Sequence, residues 1–240
     1  MIETVFFDAA GTLIELRMGV GEAYAGQADS MGWKLDDAVA IEQRFRESFS
    51  QAEPMTFPDA RPHEIEDLER EWWRQRVRAA LGKSAQDSRF NPFFDTIYRW
   101  FATSQAWRPA EDAHEVLKQL SLRGIRRAVV SNFDSRLEAI LRELDLHRHL
   151  DEVIWSSREG AAKPDPRLFE IALRRTCSQP ARTLHVGDRP QDDYRGAVEA
   201  GLQALLLDPY GKYASRGMKT IRRLNDLIAV VERHNRASHE

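Results

Sequence analysis

Thr4-Val5-Phe6-Phe7-Asp8-Ala9-Ala10-Gly11-Thr12-Leu13 decides how the rest of this 240-residue chain is read. The run Thr4 to Phe7 is short, β-branched and aromatic, the composition of a strand buried on both faces of a sheet. Asp8 then falls at the C-terminal end of that strand, the edge at which open α/β sheets bind ligands. Gly11 lets the chain turn sharply there and keeps backbone N–H groups free for an anion. A carboxylate so placed can attack a phosphoryl or carbon centre. Taken alone, an Asp closing a strand before a glycine is an ordinary turn residue.

Three later segments repeat the arrangement, each placing polar residues just after a strand-like run or before a helical one. Ala128-Val129-Val130 leads into Ser131-Asn132, and Lys163-Pro164-Asp165-Pro166 opens a helical stretch. Thr183-Leu184-His185-Val186 leads into Gly187-Asp188, with Asp192 and Asp193 following. In this order the four segments resemble the motifs of the haloacid dehalogenase superfamily, and they span the chain from Asp8 to Asp193. Leu16-Arg17, Gly21-Glu22-Ala23-Tyr24, Trp72-Trp73 and Ser131-Asn132-Phe133-Asp134-Ser135-Arg136-Leu137-Glu138 narrow the resemblance further. They look like the branch containing the rhythmically expressed gene 2 proteins and the haloacid-dehalogenase-like hydrolase domain-containing proteins. That branch carries a helical cap inserted after the first motif.

The length suits one substantial core plus a smaller unit. A formal charge of -3, with acids and bases interspersed, gives no electrostatic case for nucleic acid or an anionic membrane. No run approaches the roughly 20 apolar residues of a membrane span. The N-terminus has Glu3 and no basic leader, so a cytoplasmic location is the expectation. The single cysteine, Cys177, is expected to be a buried structural thiol in a helical stretch.

From about Gly21 to Trp107 the pattern is helical. Tyr24, Ala28 and Met31 share one face, Ile65, Leu68 and Trp72 another, and Phe94, Ile97, Tyr98 and Phe101 a third. After Trp107, short apolar strands alternate with helices, which implies a parallel sheet covered on both faces. The fold class is therefore α/β: a Rossmann-like three-layer core with a parallel sheet, and an inserted all-helical cap. The expected boundaries are residues 1–14 and 108–240 for the core and 15–107 for the cap.

The resemblance implies a phosphohydrolase in which Asp8 attacks phosphorus. Asp188, Asp193 and the backbone carbonyl of Ala10 would join Asp8 around Mg²⁺. Hard oxygen ligands suit that ion. Ser131 can donate to a phosphate oxygen and Lys163 can neutralise the transferring group, with Asn132, Gly11 and Thr12 completing the substrate contacts. Asp192 is read either as a further metal contact or as helix N-terminal charge, and His185 as a satisfied structural histidine.

Ala10 departs from the pattern. The superfamily's phosphatases place there a second Asp that protonates the leaving oxygen and activates water. General acid-base catalysis is worth about 10² to 10⁴ in rate. Three readings follow: a Mg²⁺-dependent phosphohydrolase with weakened or relocated proton transfer, Glu22 or water serving instead; a module that binds phosphate and Mg²⁺, or a partner, without turnover; and a C–P bond hydrolase like the phosphonoacetaldehyde hydrolases. The last needs a cap lysine, and only Lys34 and Lys83 are available. Haloacid dehalogenases work without metal and lack an acidic Gly-Asp pair, so Gly187-Asp188 argues against them. The expected partner is a small phosphorylated substrate.

Overall fold

The computed structural model describes residues 1–237. In chain order the elements are β1 (Thr4–Phe7), β2 (Ile14–Leu16), α1 (Val20–Ser30), α2 (Ala38–Ser50), α3 (Ile65–Leu81), α4 (Phe90–Trp100), β3 (Trp107–Pro109), α5 (Ala113–Leu122), β4 (Arg126–Ser131) and α6 (Arg136–Glu143). There follow β5 (Glu152–Trp155), α7 (Ser156–Glu159), α8 (Pro166–Arg175), β6 (Thr183–Gly187), a π-helical turn (Pro190–Arg195), α9 (Gly196–Glu199), β7 (Gln203–Leu207), β8 (Thr220–Ile221) and α10 (Asp226–Ala237).

Six strands form one sheet in the order β5-β4-β1-β6-β7-β8, and every pairing is parallel. Successive side chains on a strand point to opposite faces, so each strand feeds two layers. Val5, Phe7, Val129, Val153, Leu184 and Val186 face one core with α5, α6 and α10. Phe6, Ala128, Val130 and Ile154 face a second core with α8 and α9. These strands read as continuous apolar runs because both of their faces are covered.

The chain leaves this sheet after β1 and returns at β4. Between them α1 to α4 build a separate apolar core from Tyr24, Ala28, Trp33, Ile41, Val77, Leu81, Phe93, Phe94 and Ile97. The architecture is thus a Rossmann-like three-layer α/β core with an inserted helical cap. An antiparallel ribbon, Ile14–Leu16 against Trp107–Pro109, ties the outgoing and returning chain together. Its three-residue strands are too short to show a period in sequence.

Two readings of the sequence need correction. The buried stripe of α3 is Glu69, Val77, Ala80 and Leu81, with Trp73 packed against the cap core, whereas Leu68 is 39% exposed. The helix turns its charged Glu69 inward because that end faces the polar rim of the sheet, where Ser135 N–H and Oγ donate to the carboxylate at 3.1 and 2.5 Å and Ser157 Oγ donates as well. Cys177 lies beyond the end of α8, exposed, in a left-handed turn at φ 50°.

The Glu69 contacts form one half of a polar seam between cap and core. In the other half Trp73 Nε1 donates to Asp134 Oδ2 at 2.6 Å, and Asp134 is paired with Arg136 at 2.6 Å. Arg136 in turn donates to the carbonyl of Tyr98 in the cap at 3.2 Å. Buried polar groups cost free energy when stripped of partners. Glu69→Ala should therefore lower the unfolding free energy by about 1–3 kcal/mol, read by urea denaturation; an unchanged midpoint would show that the seam contributes no stability.

Candidate active site

Asp8, Ser131 and Asp188 sit at or just past the C-terminal ends of β1, β4 and β6, neighbours in the sheet. Parallel pairing brings these ends to one edge, and Lys163 reaches the same edge from the loop before α8. The Lys163 ammonium is buried and donates to Asp8 Oδ1 at 2.6 Å and to Asp193 Oδ1 at 2.5 Å. Its backbone is held by Asn132, whose amide accepts from Lys163 N–H at 2.7 Å and donates to the Lys163 carbonyl at 2.8 Å.

Asp193 is fully committed within the protein. Oδ1 takes Lys163 and His185 Nε2, the latter at 3.0 Å, and Oδ2 takes the N–H of Arg189 at 2.9 Å. Its carboxylate lies so close under the end of β6 that a Cβ on Gly187 would fall 2.1 Å from Asp193 Cγ; only glycine fits. Gly11 is required on the other side. Its φ is +88°, and a Cβ there would meet Asp188 Oδ2 at 2.7 Å. His185 is wholly buried, and burial lowers its pKa, so the ring is neutral and presents its Nε2 hydrogen to a carboxylate that can only accept.

Burial is the largest influence on each charged group here, and the neighbours decide the outcome. Burial raises Asp193, but the Lys163 charge and the His185 contact reverse this and hold its carboxyl well below the usual range. For Asp8 the pull of Lys163 is opposed by burial and by the charge of Asp193, and the pKa is raised. Ser131 assists the ionised form of Asp8 by a hydrogen bond. Lys163 is itself desolvated, yet its two carboxylate partners hold its pKa up. Asp188 has no such partner: burial, then the charges of Asp8 and Asp193, push it up to about 7.

Asp8, Asp188 and Asp193 offer oxygens that all lie within 4.8 Å of one another, a cluster able to hold a metal ion. When all three are ionised, three negative charges face the single ammonium of Lys163, an excess of two. Asp188 Oδ1 is buried and has no hydrogen-bond partner among the described residues. An orphaned hard oxygen in a site of excess negative charge fits a divalent cation such as Mg²⁺.

Asp8, Ala10, Ser131, Asn132, Lys163 and Asp188 line one cavity of about 580 Å³ roofed by the cap. Gly11 and Thr12, expected among the substrate contacts, do not line it. The Gly11 N–H donates to the Ile14 carbonyl at 2.8 Å and the Thr12 N–H to the Ala9 carbonyl at 3.2 Å, so the turn consumes the donors expected to meet an anion. Thr12 Oγ1 is buried beneath it. Asp192 does reach the cavity and pairs with Arg189 at 2.8 Å. Glu22, Lys34 and Lys83 are exposed and lie off the cavity. Lys163 is the lysine lining it among the described residues, so a cap Schiff-base lysine is not supplied. Arg136 and the aromatic wall were not assigned from sequence, although Asp134-x-Arg136 directly after the Ser131-Asn132 pair was a visible signal.

A parallel sheet with Asp, Ser and Gly-Asp at adjoining strand ends and a buried lysine between two carboxylates defines a class of protein. The chain belongs to the haloacid dehalogenase-like hydrolases, whose family model matches residues 2–201. Among curated proteins it is similar to haloacid dehalogenase-like hydrolase domain-containing protein 3 of Mus musculus, 39% identical over 207 residues, covering 84% of this chain and 80% of that protein. It is also similar to glyceraldehyde 3-phosphate phosphatase of Methanothermobacter thermautotrophicus, 37% identical over 103 residues, covering 42% of this chain and 45% of that one. Among solved structures, the HAD-hydrolase YfnB from Bacillus subtilis, bound to magnesium, superposes with a TM-score of 0.72 at 18% identity, covering 96% of this chain and 99% of that one. No helix of the described residues is long and apolar enough to cross a membrane.

The raised pKa of Asp188 has a consequence for metal-free stability. A carboxyl whose folded-state pKa lies above its ordinary value favours the folded state while protonated. That contribution is complete below 3.8 and is lost as pH rises to about 7. Asp188→Asn should thus be more resistant to urea than the parent protein in EDTA at about pH 7.5, by roughly 2–4 kcal/mol, with the gap closing towards about pH 4. A variant no more stable than the parent at the higher pH would contradict the charge balance described here.

Proposed function

We propose that this hydrolase releases phosphate from a phosphate monoester through a covalent intermediate on Asp8, with Mg²⁺ as its cofactor. The observation that carries the reading is the buried Lys163 ammonium, bound to Asp8 and Asp193 on the floor of a cavity where Asp188 keeps an unpartnered oxygen. Phosphatases among the relatives, though they match less than half of this chain, support a phosphorylated substrate.

Burial raises the Asp8 pKa, and the Lys163 charge opposes that rise, favouring the ionised carboxylate whose oxygen is the nucleophile. As the Asp8 oxygen bonds to phosphorus and the bond to the leaving oxygen breaks, charge spreads over the non-bridging oxygens. The Lys163 ammonium and the Ser131 hydroxyl line the cavity beside Asp8, where they can meet that charge. Asn132 fixes the Lys163 backbone, and Asp193 keeps the ammonium protonated and aimed. Asp8, Asp188 and the Ala10 carbonyl would hold Mg²⁺, with Asp193 behind them; when bound it supplies positive charge to the transferring group. Water then attacks the phosphorus, and Asp8 is regenerated.

Ala10 lines the cavity with a methyl group, which transfers no proton. Glu22 does not replace it, because its side chain is exposed on α1 outside the cavity. Alkyl phosphates should therefore react slowly, limited by a leaving oxygen that must find its proton in solvent.

Phosphate release with Mg²⁺ from a panel of monoesters tests the reading. Asp8→Asn should abolish it, EDTA should remove it and added Mg²⁺ restore it. Ala10→Asp should raise the rate on alkyl phosphates by about 10². Release no greater than that of Asp8→Asn from every ester would instead identify a phosphate-binding module without turnover.

A further inference from the structure

We infer that the substrate class of this site is an aryl phosphate monoester with a flat, uncharged leaving group, an inference that rests on the phosphohydrolase reading above. Two independent features of the cavity point to it, and they agree with the chemistry left by Ala10.

The first feature is the wall. A cavity of about 580 Å³ is the size of a small-molecule site. Away from Asp8 its cap side carries a cluster of rings, beside aliphatic side chains and Ser50 and Glu53. Phe45 and Trp73 are parallel to within 5° with centroids 6.5 Å apart, and Trp72 stands edge-on to Trp73 at 5.0 Å. Phe49 closes the group at 5.8 Å from both Phe45 and Trp72. Such faces and edges match an aromatic guest, which stacks or meets them edge to face.

The second feature is charge. The cations lining the cavity among the described residues are Lys163, Arg136 and Arg189. Lys163 is spent on Asp8 and Asp193, Arg136 on Asp134 and the Tyr98 carbonyl, and Arg189 on Asp192. Among the described residues, Lys163 and Arg136 are not left over for a second phosphate or a carboxylate on the leaving group, and Arg189, its side chain 60% exposed, pairs with Asp192 through Nε. Two serine hydroxyls of the wall are already used: that of Ser50 donates to the Glu47 carbonyl at 2.9 Å. The Ser156 hydroxyl already donates to the carbonyls of Met55 and Phe133, at 3.3 and 3.2 Å. Sugar hydroxyls entering here would give up water for ring faces.

The chemistry follows from leaving-group acidity. A phenol has a pKa near 10, against about 15.7 for water, so a phenolate departs without a proton in hand. In the first step the Asp8 oxygen bonds to phosphorus and the phosphorus–aryl oxygen bond breaks, its electron pair staying on the phenolate, which solvent protonates. In the second step water attacks the same phosphorus and the Asp8–phosphorus bond breaks. Inorganic phosphate leaves, the water proton passes to phosphate or solvent, and the carboxylate is restored. Neither step asks the methyl group of Ala10 to act as an acid.

The test compares 2-naphthyl phosphate with acetyl phosphate and glucose 6-phosphate, all with Mg²⁺. Acetyl phosphate has a good leaving group and no ring, so it separates ring recognition from leaving-group acidity. The expected result is a kcat/KM for 2-naphthyl phosphate at least about tenfold above that for acetyl phosphate, with Phe49→Ala reducing this preference by about tenfold through KM. In parallel, 2-naphthyl phosphate should quench the tryptophan fluorescence of Asp8→Asn saturably, and the Phe49→Ala, Asp8→Asn double variant should need about tenfold more. Hydrolysis of acetyl phosphate or glucose 6-phosphate with no preference for the naphthyl ester overturns the aryl assignment and leaves the phosphohydrolase reading standing. Absence of hydrolysis from all three esters overturns that reading; the quench then decides the aryl assignment alone, and no saturable quench overturns it.

Discussion

A buried ammonium bound by two buried carboxylates is the interaction on which the rest of the site depends. An isolated charge in such a place would neutralise or unfold its surroundings. Lys163 avoids this only because β1 and the turn after β6 deliver Asp8 and Asp193 to it from two sides, at 2.6 and 2.5 Å. The same requirement explains the residues around it. Asn132 pins the lysine's backbone, Gly187 makes room for the Asp193 carboxylate, and Gly11 makes room for Asp188. Each is needed because the charges must meet at hydrogen-bond distance or not be buried at all.

The ion pair also leaves something over. With Lys163 shared between Asp8 and Asp193, Asp188 is pushed up to about 7 by burial and then by the like charges it faces. A protein folded around such an imbalance is less stable than it need be, and perturbation of this kind is common where chemistry is done. The seam that docks the cap has the same character on a smaller scale. Glu69 is buried against Ser135 and Ser157 beside Asp134, and burial raises its pKa. These contacts hold the aromatic side of the cap over the Asp8 edge, so that floor and roof form one cavity.

Much of this was legible in the chain. Thr4 to Phe7 followed by Asp8, and Ala128 to Val130 followed by Ser131, are continuous apolar runs that end in a polar residue, and only a doubly covered parallel strand needs that pattern. Such runs carry their signal locally, and the parallel sheet and the helical cap followed from them. Other features were invisible for physical reasons. Glu69 reads as solvent-facing on any helix, because nothing in its neighbours reveals the serines that meet it from the start of α6 and from α7, 66 and 88 residues away. Gly11 and Thr12 read as anion donors, but a turn this tight closes on its own carbonyls.

What the sequence by itself determined is therefore the alternation of strands and helices, the insertion between the first and second motifs, and the identity of the chemical groups: a carboxylate at 8, a methyl at 10, a lysine at 163, an acidic pair at 188 and 193. Local composition and spacing suffice for these, since they depend on neighbours along the chain. The tertiary structure alone decided which groups touch. It gave Lys163 to Asp8 and Asp193 together, left Asp188 Oδ1 without a hydrogen-bond partner among the described residues, removed Glu22 from the cavity and walled that cavity with Phe45, Phe49, Trp72 and Trp73. Those outcomes turn on distances of a few ångströms between residues far apart in sequence. Electrostatics and desolvation act over just that range, and no reading of spacing along the chain resolves it.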